Sequence, residues 1–152
     1  MLLFDNYLLT VAVYSWCVAQ ALKTILNTIS NKKFDAERLV GAGGMPSSHS
    51  ATVTSMVVAS AKMFGLSSFE FAMCFMFACV VIYDALGVRR SAGMHAKVIN
   101  RMVDTVQFKE DEEPKNDSLF AKDLKEYFGH TPVEVIAGSL IGISMAMLIP
   151  IK

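Results

Sequence analysis

Charged residues are scarce in this chain of 152 residues: only 18% are Asp, Glu, Lys or Arg, whereas a soluble domain usually carries about a quarter. The fourteen basic and fourteen acidic residues cancel. The chain therefore lacks the basic surplus of a nucleic-acid-binding protein, and we expect no nucleic-acid partner. Hydrophobic residues make up 53% of the chain, and the mean hydropathy is +0.43. This composition excludes a disordered chain and argues against a water-soluble globule.

Cysteine is also rare. Cys17, Cys74 and Cys79 all lie in apolar stretches, and an odd number without paired spacing indicates neither a disulfide framework nor a zinc site. The chain has no glycine-rich nucleotide loop, metal-ligand cluster or haem motif, so we expect no cofactor and no metal. Its length suits a single domain over residues 1–152.

Four apolar stretches fill most of the chain outside one polar segment: residues 7–29, 47–64, 68–88 and 133–149. A helix needs about 20 apolar residues to cross a bilayer. The second and fourth stretches are short by themselves, but they suit a bundle. The predicted fold is all-α, a polytopic membrane helical bundle of about four transmembrane helices. The alternative is the buried helical core of a soluble protein.

Basic residues concentrate in two connecting segments. Lys32, Lys33 and Arg38 lie between the first and second stretches, and eight Lys and Arg residues lie between the third and fourth. Because basic loops stay on the cytoplasmic side of a membrane, this pattern predicts a cytoplasmic position for both segments. Both chain termini would then lie outside.

The polar segment between the third and fourth stretches has two parts. Residues 92–103 predict a short amphipathic helix with Met94, Val98 and Met102 on one face, joined by Ile99. The charge-dense residues 105–120 predict a mobile connector within the domain.

The first of three polar clusters, GGMPSSHS at residues 43–50, opens the second apolar stretch. Glycines followed by Pro and Ser start a helix whose free backbone N–H groups favour an anion. His49, one turn into that helix, could donate a proton to a bound phosphate or to its leaving group. The alternative is an ordinary capped helix with an interfacial histidine.

The second cluster is YDALGVRRS at residues 83–91. Asp84 lies inside an apolar stretch, where an acid is costly unless it is paired. Arg89 or Arg90 could pair with it across a break at Gly87, and a planar guanidinium group also binds phosphate through two hydrogen bonds. The alternative is that the arginines only anchor the helix at the membrane surface.

The third cluster, GHTPVE at residues 129–134, opens the fourth stretch. Thr131 and Glu134 match a capping box, with Pro132 at the first helical position. This pattern leaves His130 unexplained. A carboxylate four residues later could hold the imidazole in one tautomer and make it a nucleophile toward phosphorus. Together the three clusters supply the nucleophile, acid and positive charge that phosphoryl transfer requires.

The motifs GGMPSSHSA, YDALGVRRSAG and GHTPVEVIAG resemble the divergent branch of the type 2 phosphatidic acid phosphatase superfamily. This branch is also labelled acid phosphatase/vanadium-dependent haloperoxidase-related. The resemblance extends over about residues 23–142. It implies an all-helical, metal-independent phosphatase that forms a phosphohistidine intermediate.

The resemblance also assigns roles to particular residues. The superfamily motif Pro-Ser-Gly-His is matched by PSSH, which implies that His49 is the general acid and that Ser47 and Ser48 help to cradle the phosphate. The last motif ends in a histidine followed four residues later by an aspartate. His130 and Glu134 take those places as the nucleophile and its orienting carboxylate.

The Lys and Arg residues of the superfamily motifs have less direct counterparts in this chain. The first motif, a Lys followed seven residues later by Arg-Pro, is not intact, and Lys33 and Arg38 are nearby candidates at a different spacing. Arg89 or Arg90 is expected to replace the arginine that precedes the last histidine of the superfamily. Lys23, in the first apolar stretch, could reach the site or extend to the membrane surface, and we expect a structural role for it.

Two functions from different classes fit these observations. The first is a membrane-embedded phosphatase acting on a lipid phosphate or diphosphate, an amphiphilic substrate drawn from the membrane lipid. The second is a catalytically inactive membrane protein that retains a phosphate or lipid-headgroup pocket for a structural or regulatory role. The small-residue stripe Gly138, Gly142 and Ala146 suits close helix contact, and a homodimer is plausible with either function.

Overall fold

The computed structural model describes residues 5–31, 44–107 and 130–151, and within these ranges it contains five helices and no strand. In chain order they are α1 (Tyr7–Asn31), α2 (Ser48–Phe64), α3 (Phe69–Leu86), α4 (Val88–Gln107) and α5 (Pro132–Leu148). The all-helical prediction is confirmed. The amphipathic helix predicted at residues 92–103 is longer at both ends and forms α4. Residues 105–107 of the predicted charged connector belong to α4, and the rest of it lies outside the described residues.

Helix α2 is the centre of the bundle and packs against α1, α3 and α5. It runs parallel to α5, since the backbone N–H of Ser47 donates to the carbonyl of Glu134 over 3.0 Å and Lys62 Nζ donates to the carbonyl of Ala146 over 2.7 Å. Helix α1 runs the opposite way. We call the end of the bundle where α2 and α5 begin the histidine end, and the other the turn end.

Two glycines let α2 and α5 approach closely. A Cβ added at Gly138 would collide with the carbonyl oxygen of Ser47, and one added at Gly142 would collide with the carbonyl of Ala51 and the hydroxyl of Thr54. The predicted small-residue stripe is therefore used inside one chain, against α2. It is buried there and is not a free face for a second copy.

The buried apolar residues of the described bundle are all Ala or Val, and large apolar residues cover its outside. The buried residues of α2, for example, are only Ser, Ala and Val. On α3, by contrast, Phe69 is 74% exposed and Tyr83 75% exposed, and Leu148 of α5 is 76% exposed. A soluble monomer rarely exposes so continuous an apolar surface. Small interior residues are what membrane helices use for packing, because lipid solvates the large ones.

Within the part of the chain that the structure describes, two helical segments are long and apolar enough to cross a membrane, Tyr7–Ser30 and Phe69–Leu86. Only 11% of the second segment is buried inside the bundle, whereas the core helix of a soluble protein would be mostly buried. The apolar helix α5 has 17 residues and is shorter than these two. Of the four predicted spans, two thus meet the criteria of length and hydropathy.

Candidate active site at the histidine end

The chain enters α2 through a tight turn that is fastened to α5. Gly44 has a φ of +85°, a conformation that favours glycine, and the Met45–Pro46 peptide bond is cis. Ser47 caps the helix, with its Oγ accepting from the Ser50 backbone N–H over 3.3 Å. The Ser47 backbone N–H donates to the Glu134 carbonyl, and this bond places the start of α2 beside the first turn of α5.

The start of α5 contains both features that the sequence indicates, a capping box and a carboxylate beside His130. The Thr131–Glu134 capping box is present, with Pro132 in the first turn. Glu134 Oε2 accepts from the Thr131 backbone N–H over 3.2 Å and also lies 2.9 Å from His130 Nδ1. With Nδ1–H donating to this carboxylate, the lone pair of His130 is on Nε2. Glu134 thus caps the helix and orients the imidazole.

The two histidines meet although they are 81 positions apart in the sequence. The ring centroids of His49 and His130 are 6.0 Å apart, and the ring planes are inclined by 59°. His130 is 3% exposed and His49 is half-buried. The fold therefore brings the candidate nucleophile and the candidate acid together at one end of the bundle.

Lys23 of α1 lies beside the start of α2; the sequence left open whether it reaches this candidate site or extends to the membrane surface, and favours a structural role. The side chain is 2% exposed, and its Nζ donates to Ser48 Oγ over 3.3 Å. The antiparallel course of α1 brings Lys23 level with the start of α2. The spacing of polar residues in the sequence could have indicated this position, because Gln20, Lys23 and Thr24 lie on one face of an apolar helix. All three are buried.

The structure describes the other predicted site residues only in part. Arg89 and Arg90 lie in the first turn of α4, directly after α3 ends, but their side chains lie outside what the structure describes. Lys33 and Arg38 lie outside the described residues. Asp84 is half-buried in the last turn of α3, and the predicted break at Gly87 is confirmed, since α3 ends at Leu86 and α4 begins at Val88.

The chemistry of the site suits an anion. The described residues contain no group of three or more His, Cys, Asp and Glu side chains placed to hold a metal ion. The site does contain the ammonium group of Lys23 and the starts of two parallel helices. Helix starts carry unpaired N–H groups and the positive end of the helix dipole, both of which attract phosphate.

The sequence of the whole chain places it in a family. The family model described as "Divergent PAP2 family" matches residues 4–145. The chain belongs to the divergent PAP2 family. It is also 39% identical over 153 residues to the "Uncharacterized membrane protein YuiD" of Bacillus subtilis (strain 168), with 98% of this chain and 97% of the relative covered. No solved structure matches the chain.

This divergent PAP2 member has an apolar groove on the side of its bundle. The groove has a volume of about 450 Å³ and lies between α2, α3 and α5. Its lining includes Val57, Val58, Phe75, Ile82, Leu86 and Ile143. Leu86 is the last residue of α3, so the groove extends toward the histidine end.

Proposed function

We propose that this protein is a membrane-embedded phosphatase that hydrolyses a lipid phosphate or diphosphate through a phosphohistidine intermediate, without a metal. The observation that carries the proposal is the histidine pair: His130 is held by Glu134, and the ring of His49 lies 6.0 Å away on another helix. Family membership supports the same chemistry.

In the first step, His130 Nε2 attacks phosphorus. The N–P bond forms while the bond from phosphorus to the leaving oxygen breaks, and protonated His49 gives its proton to that oxygen. Glu134 stabilises the positive charge that develops on the His130 ring. In the second step, water attacks phosphorus, His49 takes the proton of this water, and the N–P bond breaks to release inorganic phosphate.

Positive charge at the histidine end would hold the phosphoryl oxygens during both steps. Lys23 is the described cation of the site, and its contact with Ser48 brings it to the start of α2. Ser47 and Ser48 complete the cradle in this proposal. Arg89 and Arg90, in the first turn of α4, and Lys33 and Arg38, which precede α2 in the chain, are the further cations of this proposal.

The apolar groove and the apolar outer surface support a lipid as the substrate. The tail of an amphiphile would lie along the groove while its phosphate reaches the histidines. We further propose that α1, α2, α3 and α5 all span the bilayer. The histidine end would face the cytoplasm, as the basic connecting segments predict.

The test is phosphate release by the purified, detergent-solubilised chain from a panel of lipid phosphates and diphosphates, with chelator present. We expect release by the wild type and by His95→Ala, which removes the exposed histidine of α4. His49→Ala and His130→Ala should lose it. An aryl phosphate, whose leaving oxygen departs without a proton, should partly restore His49→Ala but not His130→Ala.

Folded wild type that releases no phosphate from any substrate would contradict the proposal. Binding of vanadate by that protein, weakened in His130→Ala, would then identify an inactive member that keeps the pocket. Release that disappears with chelator would contradict the metal-independent mechanism.

A further inference from the structure

Helix α4 has an apolar face that no described helix covers. Met94, Val98 and Met102 recur at four-residue spacing and are between 50% and 62% exposed. Val88 and Ile99 extend the same face and are also exposed, as is the one histidine on it, His95. Among the described helices, α4 packs only against α3.

The contact between α4 and the bundle uses a different side of the helix. Gly93 is buried, and Ala96 and Asn100 are half-buried. At 100° per residue these three positions cluster on the side of α4 that faces away from Met94 and Val98. The apolar face is thus directed away from the described part of the bundle.

Basic side chains border the apolar face of α4. The helix also begins directly where α3 ends. Lys97 and Arg101 lie four residues apart and are exposed. Gly87 alone separates α4 from the end of α3, one of the two segments able to cross a membrane. A helix that begins where a membrane span ends begins at the lipid–water boundary.

We propose that α4 lies in the interface of an anionic lipid leaflet, with Met94, Val98 and Met102 in the boundary between headgroups and acyl chains. Lys97 and Arg101 contact the anionic headgroups. A large apolar face with basic residues at its border is the pattern of interfacial helices, and each basic residue near an anionic surface adds to the attraction. The proposal holds whether or not the protein is a phosphatase.

The experiment uses the full chain in vesicles. Cys17, Cys74 and Cys79 are replaced by Ala, and single cysteines introduced from position 94 to position 102 carry an environment-sensitive fluorophore. Vesicles contain either phosphatidylcholine alone or a mixture with phosphatidylglycerol, and a nitroxide-labelled lipid acts as quencher. We expect several-fold stronger quenching of labels at Val98 and Met102 than at the adjacent Lys97 and Arg101.

Three results would overturn the proposal or part of it. Equal quenching at Val98 and Lys97 would show that the apolar face is not in lipid. A label at Val98 that is shielded from water but not quenched by nitroxide lipid would show that protein covers the face. Quenching that does not increase with phosphatidylglycerol, or that persists unchanged in Lys97→Gln/Arg101→Gln, would remove the role of the basic residues.

Discussion

One carboxylate oxygen of Glu134 contacts two neighbouring groups. Its Oε2 accepts from the Thr131 backbone N–H and from His130 Nδ1. The first contact stabilises the start of α5, and the second selects the His130 tautomer whose Nε2 carries the lone pair. Substitutions at two positions can separate these roles because the Thr131 side chain takes part only in the cap.

We predict that Glu134→Gln lowers the rate of phosphate release by about 10²–10⁴-fold, because an amide cannot stabilise the charged imidazole. Thr131→Ala is the matched control: it loses the cap at a cost of about 1 kcal/mol and keeps the Glu134–His130 contact. The rate of phosphate release and the thermal unfolding of each variant in detergent measure the loss of activity and the loss of stability. Equal loss of activity in the two variants would show that Glu134 acts only as a cap.

Lys23 is the buried cation of the described site. We predict that Lys23→Met weakens the binding of vanadate by about 10- to 100-fold, since a hydrogen bond to a charged group contributes about 1.5–3 kcal/mol. Lys62→Met is the control at the turn end, where Lys62 Nζ donates to the carbonyls of Ala146 and Ile149. It should lower stability without changing anion affinity. Unchanged vanadate binding in Lys23→Met would exclude Lys23 from the anion site.

At the scale of helices, the site depends on how closely α2 and α5 pack. The Ser47 backbone N–H donates to the Glu134 carbonyl, and Gly138 faces the Ser47 carbonyl one turn further along. The separation of the two histidines therefore depends on the absence of a side chain at position 138.

We predict that Gly138→Ala lowers the free energy of unfolding by about 1–3 kcal/mol, as overpacking commonly does, and also lowers phosphate release. The added methyl group would push Ser47 and His49 away from His130. Leu140→Ala, on the exposed side of the same helix, should change neither property. Thermal unfolding and release assays in detergent measure the difference. Full activity in Gly138→Ala would mean that the close contact does not position the histidines.

At the scale of the whole molecule, the exposed apolar surface determines where the protein resides. Cys17 and Cys79 lie near the middles of α1 and α3 and are exposed on the outside of the bundle. In a membrane these thiols face lipid, whereas in a soluble protein they would face water. The histidine and turn ends lie on opposite sides of the bilayer if the helices cross it.

We predict that a membrane-impermeant maleimide leaves Cys17 and Cys79 unlabelled in intact vesicles and labels them after denaturation in detergent. In a background without native cysteines, Leu66→Cys and Met45→Cys, both at exposed positions, should be labelled from opposite sides. Leu66→Cys reports the outside if the basic segments are cytoplasmic. Rapid labelling of Cys17 and Cys79 in intact vesicles would contradict a lipid-facing surface.

The sequence by itself determined the helical segments, the capping box at Thr131, the break at Gly87 and the family, because local patterns carry these features. Hydrophobic runs define helices, and a cap joins residues three positions apart. The finer boundaries moved by a few residues: α4 runs from Val88 to Gln107 and so extends beyond the predicted residues 92–103 at both ends.

Only the tertiary structure decided that Lys23 is buried beside Ser48, that His49 and His130 lie 6.0 Å apart, and that Gly138 faces α2. Each of these depends on which helices are neighbours and on their relative direction. A pattern along one helix shows which face is small or polar, but not which other helix that face meets. That choice comes from packing between residues distant in the chain, where small interior side chains allow backbones to touch.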